Sequence, residues 1–186
     1  MNDHSNSQVY PPLTRFMHWL TLILLIGILA LGWIAPDIED DDWRHLLVDI
    51  HRWLGLLVLL LALIRLPLWL RSLPYVLLPE DMPAWQRYAA QAVQFLLLIL
   101  LLAQPLLGWL YTNADGHTVS LFGLIQLPAL VAENEALADQ TIQWHEISAW
   151  IILILTGVHM TAALYHHFIR RDNVLVSMLP RLRVRR

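Results

Sequence analysis

Four apolar stretches, at about residues 13–35, 45–71, 85–112 and 141–170, constrain this chain more than anything else in it. Each runs for about 20 residues or more, enough to cross ~30 Å of hydrocarbon. A backbone in lipid must satisfy its own hydrogen bonds, so helices are the expected form. The composition agrees: 58% of the 186 residues are hydrophobic and only 15% are charged, too apolar a balance for an ordinary soluble domain. The expected class is an all-α integral membrane protein: one membrane domain, residues 1–186, built as a four-transmembrane-helix bundle.

Breakers and charges mark the ends. The first seventeen residues are polar, contain Pro11-Pro12 and lack the charged start, short apolar core and cleavage site of a secretory signal, so the first span is expected to be retained. Pro36 stops it, and Asp37 to Asp42 form an acidic loop whose last residues can cap the second helix. Pro74, Pro79 and Pro83 make a loop of Leu73 to Pro83, and Asp115-Gly116 marks a turn. Val119 to Asp139 is too polar in its second half to span and is expected to form a short interfacial helix. A basic tail, residues 171–186, ends in Arg181, Arg183, Arg185 and Arg186.

Every basic residue is an arginine, and their distribution orients the bundle. One side holds Arg15, Arg65, Arg71, Arg87, Arg170, Arg171 and the tail, whereas the other has only Arg44 and Arg52. The positive-inside rule then puts both termini in the cytoplasm and turns the acidic loops outward. Trp33, Trp43, Trp109 and Trp144 would form the outer aromatic belt, with Trp69 and Trp85 on the inner side.

Chemistry is carried by histidine. There is no cysteine, which removes disulfides, cysteine-ligated iron–sulfur clusters, thiol catalysis and covalently attached c-type haem. His145 and His159 are fourteen residues apart in the fourth span, which sets them ~40° apart in azimuth and ~21 Å apart along one helix. His51 starts near the outer end of the second span, and His18 near the inner end of the first. The depths therefore pair His51 with His145 and His18 with His159. Facing imidazoles at two levels suit two stacked haem b groups, each iron ligated from both sides, and an intramembrane histidine is a functional candidate by default.

Neighbouring residues extend the pattern. Gly55, four after His51, would let a flat macrocycle approach, and equally would allow close helix packing. Arg65, fourteen after His51, stands at the inner level, suited to a haem propionate or to snorkelling toward headgroups. Arg52 could serve the outer propionates. His166 shares the face of His159 about 10 Å lower and is an alternative inner ligand, or with His167 a headgroup or propionate contact. His4, His45 and His117 read as solvated residues. No phosphate loop, dinucleotide fingerprint or nucleophile triad appears, and the basic tail suits lipid contact and not nucleic acid.

Taken together, these residues resemble the bacterial four-helix cytochrome b561 family. The matches are Arg15-Phe-Met-His18-Trp19, His51-Arg-Trp-Leu-Gly55 with Arg65, Trp144-His145-Glu146, and Gly157-Val-His159-Met. Tyr165 to Asn173 and Met178-Leu179-Pro180-Arg181 are similar as well. The resemblance implies His18, His51, His145 and His159 as haem-iron ligands and an inner-membrane oxidoreductase that exchanges electrons with ubiquinone. One branch of the family oxidises superoxide at the outer face. Besides lipid and quinone, the expected partners are an electron-donor protein or a second copy of the chain. Two other readings remain open: a cytochrome b anchor subunit of a membrane dehydrogenase or hydrogenase, and a histidine-bearing metal transporter. The acidic outer loops would oppose an anionic donor.

Overall fold

The computed structural model describes residues 9–72, 79 and 81–179. His4, Pro74 and the tail arginines Arg181, Arg183, Arg185 and Arg186 lie outside the described residues. The first helix, α1 (Pro12–Ile34), opens with proline at its first position, where the missing N–H costs nothing. It ends in a 3₁₀ turn, Ala35–Asp37, around Pro36. Next comes α2 (Asp41–Ser72); its first turn is fixed by Asp40, whose Oδ1 accepts the Trp43 N–H at 3.0 Å. Then follow α3 (Ala84–Ala114) and α4 (Glu135–Tyr165). All four are long and apolar enough to cross a membrane. Four crossings bring the described ends, near Tyr10 and Ser177, to one end of the bundle, the lower one, with the acidic loops at the upper end.

The segment after α3 corrects the expected interfacial helix. Ser120–Leu121 (β1) and Ile125–Gln126 (β2) pair as an antiparallel hairpin. Phe122 and Gly123 take φ of 53° and 69°, the left-handed pair of a type I′ turn, and Leu124 N–H bonds back to Leu121 at 3.0 Å. The hairpin rests on α2 through Trp53, whose Nε1–H donates to the Ser120 carbonyl at 2.9 Å. The acidic half of the segment belongs to α4, which starts six residues earlier than the expected 141: Asn134 caps it by accepting from Leu137 N–H at 3.0 Å.

Helix faces are inverted relative to a soluble bundle. Phe16, Ile23, Ile26 and Ile154 are more than half exposed, as a lipid-facing surface requires. The interior is narrow. Leu25, Val58, Ala62, Leu98, Leu101 and Ile152 form its buried cluster. Leu25 stands seven residues after His18, Val58 seven after His51, and Ile152 seven from both His145 and His159. Seven residues are two turns on one face, so this apolar layer lies midway between the two histidine levels.

At the lower end α4 passes into a π turn, His166–Arg170, and stops at Arg171 in the left-handed region, φ 57°. A short helix, α5 (Val174–Met178), then folds back on the start of the chain. Trp19 Nε1–H donates to the Met178 carbonyl at 3.2 Å, and Tyr10 N–H to that of Ser177 at 3.1 Å.

Candidate functional site

All four helices meet at the upper level. The rings of His51 (α2) and His145 (α4) face each other with centroids 6.1 Å apart and planes inclined by 64°. His51 Nδ1 lies 3.0 Å from the Ile28 carbonyl of α1, and His145 Nδ1 lies 3.2 Å from the Gln104 carbonyl of α3. A carbonyl can only accept, so each Nδ1 carries the proton and each Nε2 keeps a free lone pair. Gln104 holds His145 a second way: its Nε2–H donates to the His145 carbonyl at 2.9 Å, while its Oε1 accepts from the Ser148 hydroxyl.

Glycines make room for these rings. A Cβ on Gly32 would stand 3.2 Å from His51 Cε1, and one on Gly108 3.1 Å from His145 Cε1. On Gly55, in contrast, a Cβ would meet nothing within 4 Å, because the residue borders open space. That space is a cavity of about 640 Å³ whose walls include both histidines, Arg52, Trp109 and Glu146. Trp33 and Trp150 pack together in its wall at 5.3 Å. Trp109 Nε1 is buried there without a partner among the described residues, and Arg52 is paired with Asp49 at 3.0 Å.

The lower level repeats the spacing. His18 (α1) and His159 (α4) have ring centroids 6.1 Å apart and planes at 60°. Arg65 is within electrostatic reach of both. Among the described residues neither ring makes a hydrogen bond, so this pair lacks the carbonyl acceptors of the upper one.

His166 belongs to a different arrangement. Its Nδ1 lies 2.5 Å from Asp172 Oδ2, with both side chains largely buried, so it packs against the turn after α4. His117 is exposed and pairs with Asp115 at 3.1 Å, and His45 is exposed.

Residues 9–181 match the family described as prokaryotic cytochrome b561. The chain belongs to this family. It is 35% identical over 180 residues to cytochrome b561 homolog 2 of Escherichia coli (strain K12), covering 96% of this chain and 95% of the relative. Homolog 1 from the same organism is 33% identical over 185 residues, covering 97% and 99%. A Yersinia pestis protein named as a probable superoxide oxidase, CybB, is 30% identical over 172 residues, covering 90% and 93%. This cytochrome b561 family member is thus a bacterial membrane protein of electron transport, and the family implies haem b.

The residues present fit that group. Two metal–nitrogen bonds of about 2.0 Å and two ring radii of about 1.2 Å separate opposed imidazole centroids by roughly 6.4 Å, close to the 6.1 Å of both pairs. The cavity has the size and apolar lining of a cofactor pocket. Sequence reasoning missed Gln104, Gly32, Gly108 and Trp109 as site residues. Gln104 carried a signal: it is the one amide in the apolar run from Phe95 to Leu110, and a polar side chain at that depth is costly without a task.

Proposed function

We propose that this protein is a dihaem b-type cytochrome of the bacterial inner membrane, passing electrons from a one-electron donor at its upper, outward-facing end to ubiquinone. Both termini then lie in the cytoplasm, as the arginine distribution supports. The observation that carries the reading is the repetition of one geometry: two histidine pairs, each at 6.1 Å, on opposite sides of an apolar layer. His51 and His145 would hold the upper haem through Nε2, and His18 and His159 the lower. Arg52, in the cavity wall, would meet the upper propionates and Arg65 those of the lower haem, and Gly55 borders the space for the upper ring.

When bound, haem b supplies a one-electron couple. The chain fixes the imidazoles, through carbonyl acceptors at the upper level. With a histidine pair to hold each haem, no position would remain for dioxygen, which favours electron exchange over oxygen activation. Two donor molecules each lose one electron for every ubiquinone reduced to ubiquinol, with two protons taken up by the quinone. Superoxide as donor is supported by the relative named a probable superoxide oxidase. Among the described residues no cluster of three or more histidine, cysteine, aspartate or glutamate side chains gathers as a metal-transport site would require.

The test is haem content per chain with a reduced-minus-oxidised spectrum. Two haem b per chain are expected, one lost in His51→Ala or His145→Ala and the other in His18→Ala or His159→Ala. Loss on replacing His166 in place of His159 would overturn the lower assignment. Superoxide-driven ubiquinone reduction by the purified protein, above the spontaneous rate, tests the donor.

A further inference from the structure

We propose that the chain biases its two sites in opposite directions, so that the lower one holds the electron more tightly and transfer runs downhill from the upper end; this rests on the two-haem reading above. Two haem b groups bring the same iron and the same carboxylates. Any difference between the sites is therefore made by protein.

The upper site is built to favour the oxidised form. Both its imidazoles donate Nδ1–H to a backbone carbonyl, at 3.0 Å and 3.2 Å, and such a bond makes the other nitrogen a stronger electron donor to the metal. The nearby cation is offset, because Arg52 is paired with Asp49. Glu146 adds a carboxylate to the wall of the same cavity. Gln104 acts as a positioning residue: its amide bridges His145 and Ser148, which keeps its own carbonyl aimed at the His145 ring.

The lower site favours the reduced form. His18 and His159 lack acceptors among the described residues, so their nitrogens donate less. Arg65 lies within electrostatic reach of both and, among the described residues, is in no ion pair. A cation in a low-dielectric interior disfavours the more positive, oxidised state of a neighbouring metal. One electron then leaves the upper site and enters the lower, with no bond made or broken.

Redox titration of the haem-loaded full chain, followed optically, decides this. Two waves are expected. His51→Ala should remove the lower-potential wave and His18→Ala the higher. Arg65→Gln should move the higher wave down by about tenfold in the reduced-to-oxidised ratio, 59 mV for one electron, whereas Arg65→Lys should retain it. Asp49→Asn, which leaves Arg52 unpaired, should move the lower wave up. The proposal is overturned if the two waves coincide, if His51→Ala removes the higher wave, or if Arg65→Gln leaves it in place. Should Arg65→Gln not take up haem, an unmoved wave in Asp49→Asn overturns it instead. One haem per chain, undiminished in His51→Ala, would refute the two-haem reading itself.

Discussion

Gln104 and His145 are joined twice across the α3–α4 interface: the Gln104 carbonyl accepts His145 Nδ1–H at 3.2 Å, and the Gln104 amide donates to the His145 carbonyl at 2.9 Å. The side chain locks the backbone that the ring depends on. Gln104→Ala removes that amide bond and the contact with Ser148. At about 0.5–1.5 kcal/mol for each net hydrogen bond, stability should fall by about 1–3 kcal/mol. Thermal unfolding should show this, with partial loss of one haem and retention of the other.

Glycine substitutions separate crowding from filling. Gly108→Val or Gly32→Val drives a side chain against a histidine ring already 3.1–3.2 Å from where Cβ would sit. Both should displace that ring and cost about 1–3 kcal/mol through overpacking. Gly55→Leu meets no atom within 4 Å, so the fold should persist while the upper cavity fills. Haem content measured beside helicity should drop with helicity retained for Gly55→Leu, and both should drop for the two valine variants.

Charge at the upper end sets a salt dependence. Both its arginines are engaged, Arg44 with Asp41 and Arg52 with Asp49, amid the acidic residues Asp37 to Asp42 and Glu133 to Asp139. An anionic donor is therefore repelled, and added salt screens that repulsion over about 8–10 Å. The second-order rate with superoxide should rise with ionic strength. A basic donor protein should show the reverse, and stopped-flow reduction at two salt concentrations distinguishes them.

The turn after α4 depends on Asp172, which meets His166 at 2.5 Å and accepts the Val174 N–H at 3.1 Å where α5 begins. Asp172→Ala leaves a buried imidazole without its acceptor, at a cost of about 1–3 kcal/mol. It should also free α5 from Trp19. Tryptic cleavage after Arg170 and Arg171 in detergent should accelerate, with the haem spectrum unchanged.

How much of this was legible in the sequence follows from which forces are local. Helix number comes from runs of apolar residues, which depend on no partner. The level of each histidine follows from counting residues along helices whose ends are marked by Pro36, Asp40 to Asp42 and the Arg170-Arg171 pair. Even so, the start of α4 at Glu135 was hidden by its acidic first turns, although Asn134 three residues before Leu137 is a capping signal. The hairpin was misread because its apolar residues suited a helix, and only the Phe122-Gly123 turn decides otherwise. Cross-helix partners were out of reach: whether Gly32 faces His51, or Gln104 faces His145, depends on helix rotation, and that is set by packing of all four helices at once.

The layer formed by Leu25, Val58, Ala62, Leu98, Leu101 and Ile152 separates the two histidine levels. On the proposed function the electron crosses this apolar layer from one histidine level to the other. A lone charge moving through the membrane interior exchanges work with the transmembrane voltage, about 2.3 kcal/mol per elementary charge for each 100 mV over the full thickness. On that reading this small protein is electrogenic, and the rate at which it empties its donor becomes a function of how strongly the cell is energised.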